Sequence, residues 1–128
     1  MKYLLDTHAF IWYSEEDIFL PNKLKLTIEN NNNEIFISIV SLWEITIKTQ
    51  IGKLKINKTI DEIIFYLSKN NIQIININNE NLKILFYLPL HHRDPFDRML
   101  ISQAISENLI FITKDKNIYQ YQNVKTLW

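Results

Sequence analysis

The stretch EIFISIVSLWEITIKTQIG, residues 34–52, decides the fold. Glu34-Ile35-Phe36-Ile37 is a short apolar run rich in β-branched and aromatic side chains, which reads as a strand. Ser38 follows with no linker and offers a hydroxyl to cap a helix. Val40, Glu44, Ile47 and Ile51 then recur at helical spacing until Gly52 stops the run. A strand that feeds directly into a helix is half of a crossover connection, the unit from which parallel sheets are built.

Outward from this unit the same alternation fills the chain. Tyr3-Leu4-Leu5 reads as a buried strand, and Asp6-Thr7 presents capping oxygens for a helix through Ala9, Phe10, Ile11 and Trp12. Pro21 opens a second helix carrying Leu24, Leu26 and Ile28, closed by the polar turn Asn30-Asn31-Asn32-Asn33. A further helix runs from about Thr59, with Asp61 and Glu62 in its first turn, to Asn70-Asn71, and Ile72-Gln73-Ile74-Ile75 is a third strand. Asn79-Glu80-Asn81 opens a helix through Leu82, Leu85 and Phe86 that Pro89 closes off. Asp94-Pro95 starts another, with Phe96, Met99, Leu100, Ile101, Ala104 and Ile105 at helical spacing. Leu109-Ile110-Phe111-Ile112-Thr113 is continuous in apolar character, as a central parallel strand should be. Lys116 to Tyr119 reads as a turn or short helix, and Val124-Lys125-Thr126-Leu127 as an edge strand. The expectation is one domain over residues 1–128: a three-layer α/β/α sandwich around a mostly parallel sheet of four to five strands.

Composition removes whole classes of chemistry. The 128 residues are 47% hydrophobic and 22% charged, a globular balance with enough chain for one core. Fourteen Lys and Arg cancel fourteen Asp and Glu, so no overall basic field holds nucleic acid and any such contact must be local. The absence of cysteine excludes thiol nucleophiles, Cys-ligated zinc and iron–sulfur clusters. A single glycine, Gly52, cannot supply the phosphate loops of P-loop or Rossmann proteins or the elbow of serine hydrolases. The opening Met1-Lys2-Tyr3-Leu4-Leu5-Asp6 meets charge too early for a signal peptide, and no later run is long enough to span a bilayer. A cytoplasmic location with no membrane partner is therefore expected.

Carboxylates carry the functional signal. Asp6 ends the first strand and Asp115 follows the fourth by two residues, both at the carboxyl edge of a parallel sheet, where open α/β folds place their ligands. Glu44 lies within two turns of the start of the helix after Ser38, on a mostly apolar face, and Asp97 lies in the first turn of the helix before the fourth strand. Each has a bland reading: Glu44 paired with Lys48 at i+4, Asp97 as a favourable charge at a helix start, Asp94 as an N-cap, Asp6 and Asp115 as caps. Those readings do not explain several acids at one edge, because gathered like charges repel and raise one another's pKa values unless a cation neutralises them. Oxygen ligands without His or Cys at ligand spacing favour Mg²⁺ or Mn²⁺, ions suited to water attack on a phosphodiester.

Leu4-Leu5-Asp6-Thr7-His8, Ser41-Leu42-Trp43-Glu44-Ile45, His92-Arg93-Asp94-Pro95-Phe96-Asp97-Arg98-Met99-Leu100 and Thr113-Lys114-Asp115, in that order, resemble PIN-domain ribonucleases. The closest resemblance is to the VapC-type toxins of toxin–antitoxin pairs, and it covers almost the whole chain. It implies a metal site formed by Asp6, Glu44, Asp97 and Asp115, with Asp97 preferred over Asp94 by its distance to Ala104 and with Asp94 and Thr113 accessory. It also implies a Mg²⁺-dependent endoribonuclease acting on RNA, a homodimer, and a cognate antitoxin whose tail occupies the active-site groove.

Other residues give less. Lys48, Arg93, Arg98 and Lys114 flank the acids and are candidates for RNA phosphates. His8 reads as structural. His91-His92 lacks companions for a zinc site and reads as a solvated loop, while Trp12, Trp43 and Phe96 read as core or interface. Phe10, Trp12, Phe19, Phe65, Tyr66, Phe86 and Tyr87 exceed what one small core needs, so some are expected at an interface. Two rivals stand beside the nuclease. A receiver-like or phosphatase-like domain is disfavoured because Asp6-Thr7-His8 lacks an adjacent acid pair or Asp-x-Asp; a non-catalytic PIN-like binding module remains.

Overall fold

A computed structural model describes all 128 residues. Strand β1 (Lys2–Leu5) leads into α1 (Thr7–Ser14) and α2 (Asn22–Glu29). Strand β2 (Glu34–Ser38) continues without a gap into α3 (Ile39–Gln50), and α4 (Ile60–Lys69) precedes β3 (Ile72–Ile75). Helices α5 (Asn79–Tyr87) and α6 (Pro95–Ser106) lead to β4 (Ile110–Ile112), a 3₁₀ turn (Ile118–Gln120) and β5 (Lys125–Leu127). The strands pair in the order β3-β2-β1-β4-β5, every pair parallel. The expected sandwich is thus present, and the sheet is parallel throughout.

Alternation along the strands builds two apolar layers. Tyr3 and Leu5 of β1, Ile35 and Ile37 of β2 and Ile112 of β4 face a core shared with Phe10, Leu24, Ile45, Ile63 and Leu67. Leu4 and Phe111 face the other way, onto Val40, Met99, Leu100, Ile101 and Ala104. The chain winds outward from β1 to β3, then returns to lay β4 on the opposite side of β1. The strand order therefore reverses between β1 and β4, and in open parallel sheets such a reversal leaves a crevice at the carboxyl ends.

Helix ends follow local chemistry. Ser38 Oγ accepts from Val40 N–H, Thr59 and Glu62 form a capping box, and Asp94 Oδ1 accepts from Phe96 and Asp97 N–H with Pro95 at the first position. Asp6 departs from expectation: it is the N-cap of α1, but its carboxylate makes no capping bond. Faces also shift. On α3 the buried side chains are Val40, Ser41, Leu42, Glu44 and Ile45, whereas Ile51 is exposed. Leu26, Leu82 and Phe86 are exposed as well, and α5 buries only Asn81, which bonds Ser106 and Gln103 of α6. Of the seven aromatics beyond core needs, Phe10 is buried, Trp12 and Tyr66 partly so, and Phe19, Phe65, Phe86 and Tyr87 lie open. No helix is long and apolar enough to cross a membrane.

With one glycine in the chain, most left-handed positions fall to other residues. Gly52 has φ 75° just past α3, while Glu16, Asn71 and Asn108 take φ 54°, 56° and 53°. Asparagine tolerates this region; glutamate has no such compensation. Glu16→Gly is therefore expected to stabilise the protein by about 0.5–1 kcal/mol, read as a higher urea midpoint at unchanged m-value. A lower midpoint would show that the side chain holds the turn.

Candidate active site

Asp6 stands immediately beyond β1, and its N–H still donates to Ile112 O of β4 at 3.0 Å, so the carboxylate emerges at the strand-order reversal. Thr113 Oγ1 donates to Asp6 Oδ2 at 2.6 Å, which gives the accessory threonine a definite partner. The same Oγ1 accepts from Asp115 N–H at 3.2 Å. Glu44 reaches the crevice from α3 with its side chain 5% exposed, accepting from Thr7 Oγ1 at 2.8 Å and from Lys48 Nζ at 2.6 Å. The ordinary i+4 pair foreseen for Glu44 therefore exists, but it sits in a buried corner that also holds other acids.

Asp6, Glu44, Asp94, Asp97 and Asp115 all line one cavity of about 290 Å³, together with His8, Trp12, Lys48, Lys114 and Trp128. Crowding shows in the titration behaviour. Burial pushes the Asp6 carboxyl above the usual range, against the pull of the Thr113 hydroxyl and the nearby His8. Asp97 is pushed up to about 7, first by burial and then by Asp6 and Asp94, with His92 opposing and Glu44 adding to the rise. The Glu44 carboxylate holds the Lys48 ammonium above its ordinary value, mainly by direct hydrogen bonding.

Three expectations change. His92, expected in a solvated loop, is inside: its side chain is 12% exposed, with Nε2 2.8 Å from Asp115 Oδ2 and 3.1 Å from Asp97 Oδ2. A His five residues before Asp97 on the same Pro-containing loop was the only hint in the sequence, and the missing companions are carboxylates, not the His or Cys sought. Arg98 does not face the acids; its guanidinium donates to the carbonyls of Leu88, Pro89 and His92 and to Tyr121 Oη. Arg93 is exposed and does not line the cavity. Lys48 and Lys114 do line it, Lys114 Nζ lying 5.3 Å over the Trp12 ring. Asp94 is both N-cap and cavity wall. Trp43 and Phe96 meet edge to face at 5.2 Å, and Trp43 is largely exposed.

The donor set fits a hard divalent cation. Several carboxylates share one pocket, burial and then repulsion from Asp6 and Asp94 hold Asp97 at about 7, and Lys48 and Lys114 offset part of the charge. A ring nitrogen of His92 and carboxylate oxygens of Asp97 and Asp115 lie within 4.8 Å of one another.

Fold and cavity together define a doubly wound α/β domain with an acidic site at its strand-order reversal. The model of the PIN domain matches residues 3–124, and the chain belongs to the PIN-domain family. Solved structures share the fold. VapBC2 from Rickettsia felis, bound to a DNA fragment from their promoter, is 22% identical with a TM-score of 0.75, covering 100% of this chain and 99% of that one. VapBC-1 from nontypeable Haemophilus influenzae gives 17% and 0.68 over 99% and 97%, and a toxin–antitoxin complex from Klebsiella pneumoniae 18% and 0.64 over 95% and 94%. A comparison with curated proteins gives no match. The family reading of the sequence motifs is borne out, and a receiver or phosphatase domain is set aside.

The raised Asp97 has a sign that can be checked. Its folded value of about 7 lies above the ordinary 3.8, so its contribution to stability is full below the lower value and is lost as pH rises through the upper one. In chelator, Asp97→Asn, which keeps an acceptor for His92, is expected to match the parent near pH 4. It should exceed the parent by roughly 1–4 kcal/mol at pH 8, measured by denaturant melts. A difference independent of pH would show that burial and neighbouring charge do not raise Asp97.

Proposed function

We propose that this chain is a Mg²⁺-dependent endoribonuclease, the toxin of a toxin–antitoxin pair, with Asp6, Glu44, Asp97 and Asp115 as its working acids. The observation that carries the reading is the meeting of these four carboxylates in one cavity, where neutral packing would have separated them. They would hold Mg²⁺, or Mn²⁺ in its place, and the ion when bound supplies a water of lowered pKa and offsets charge developing on the phosphate.

The remaining steps belong to the chain's own residues. Thr113 and Thr7 fix the directions of the Asp6 and Glu44 carboxylates, so neither has to reorganise when substrate arrives. Lys48 cancels part of the charge of Glu44, and Lys114 at the cavity wall offers a phosphate oxygen its ammonium. Arg93 on the outer loop remains a candidate for a flanking RNA phosphate. A net charge of +0 supports binding through such local contacts and not through a general field.

Partners follow from the same reading. A cognate antitoxin segment carrying an Arg or Lys would pair with the carboxylates and block metal and RNA together. The antitoxin complexes among the structural neighbours support this partner. Exposed Phe19, Phe65, Phe86 and Tyr87 support an apolar interface between two copies in the cytoplasm.

Antitoxin-free protein is expected to cleave RNA in Mg²⁺ or Mn²⁺ and to stop in EDTA. Asp6→Asn, Glu44→Gln, Asp97→Asn and Asp115→Asn should each lower the rate by at least about 100-fold with unchanged circular dichroism. Full cleavage in EDTA, or a near-parental rate for Asp6→Asn, would overturn the assignment in favour of a binding module. Light scattering should give two chains per particle.

A further inference from the structure

We propose, resting on the reading that Asp97 and Asp115 help to hold a divalent cation, that His92 is the positioning residue for both carboxylates and is not itself a ligand. A clamp formed by Tyr121 and Arg98 holds His92 in place.

The hydrogen bonds of the ring decide its role. Nδ1 accepts from Asp94 N–H at 3.1 Å, so the ring proton resides on Nε2. A nitrogen that carries a proton donates and cannot ligate, and Nε2 donates toward Asp115 Oδ2 and Asp97 Oδ2, 2.8 and 3.1 Å away. Those carboxylates come from different elements, Asp97 from the first turn of α6 and Asp115 from the loop after β4. Apart from His92, the Asp115 carboxylate is held only through Oδ1, by Asn117 N–H at 2.9 Å, while its backbone N–H donates to Thr113 Oγ1 and its carbonyl accepts from Ile118 N–H at 3.1 Å. One imidazole therefore ties the β4-loop side of the acid set to the α6 side.

The loop behind His92 is built to keep it there. Its N–H donates to Tyr121 Oη at 3.0 Å, and Tyr121 Oη donates to Pro89 O at 2.8 Å. Arg98 Nη1 reaches Pro89 O at 2.9 Å and His92 O at 3.4 Å, and Nη2 reaches Leu88 O at 3.2 Å. A cation adjacent to Asp97 in sequence is thus spent on loop carbonyls while a neutral donor is offered to the acids. The arrangement orients the carboxylates and leaves their charge for the metal.

The test is Mn²⁺ binding to the full chain without substrate, followed by the electron paramagnetic signal of the free ion. His92→Ala should weaken binding by about 10-fold or more. His92→Gln, which keeps an N–H at similar reach, should retain most of the affinity, and Tyr121→Phe should weaken binding in the same direction by a smaller factor. Long-range ¹H–¹⁵N spectra of the unsubstituted, metal-free protein should show the Nε2–H tautomer. Unchanged or tighter binding by folded His92→Ala would overturn the inference, as would His92→Gln binding as poorly as His92→Ala, which would mark the imidazole as a ligand. If His92→Ala does not fold, unchanged affinity in Tyr121→Phe overturns it. No Mn²⁺ binding by the unsubstituted protein would overturn the metal reading as well, and is distinguished by the absence of any effect to compare.

Discussion

Carboxylates held together against their own repulsion are the constraint on which the rest of the structure depends. At the separations of one small cavity, and away from bulk water, like charges cost far more than at a surface. Each acid here has its own counterweight: a hydroxyl from Thr113 for Asp6, Thr7 and Lys48 for Glu44, and a shared imidazole proton for Asp97 and Asp115. Only Lys48, and His92 toward Asp97, are close in sequence to the acid they meet. The sheet has to place the others, and it does so by setting β1 between β2 and β4, so that α3, α6 and the loop after β4 all open onto one point.

Much of that frame is legible in the chain because it depends on local signals. Short apolar runs mark the strands, and Ser38, Thr59 and Asp94 mark helix starts that the structure keeps. Asp6 and Asp115 could be placed at one edge because each closely follows a parallel strand, and Glu44 and Asp97 because each lies near the start of a helix that opens at that edge. What was not legible depends on contacts across the fold. His92 lies in an irregular loop with no period to read, and only the arrival of Tyr121 and Arg98 turns it inward. Arg98 follows Asp97 and looks like a phosphate contact until the loop carbonyls it satisfies are seen.

Helix faces were the other blind spot. Leu82 and Phe86 have the residue types of a core face, yet α5 turns Asn81 inward to bond α6 and leaves its aromatics outside. A buried amide network can outvote apolar residues in setting which way a short helix faces, because an unsatisfied buried polar group costs about 1–3 kcal/mol. The result is an open surface that periodicity cannot assign to inside or outside.

The parallel pairing of β1 with β4 has a consequence for how the molecule comes into being. The bond from Thr113 to Asp6 closes a separation of 107 residues, and β1 finds its second neighbour only when residues 110–112 are available. Such distant closures are slow steps, because chain entropy is lost before the contact repays it. During synthesis Asp6 is made 107 residues before Thr113, the partner that fixes its carboxylate. Until residues 110–112 are made, β1 is paired on one side at most and its acids are unassembled.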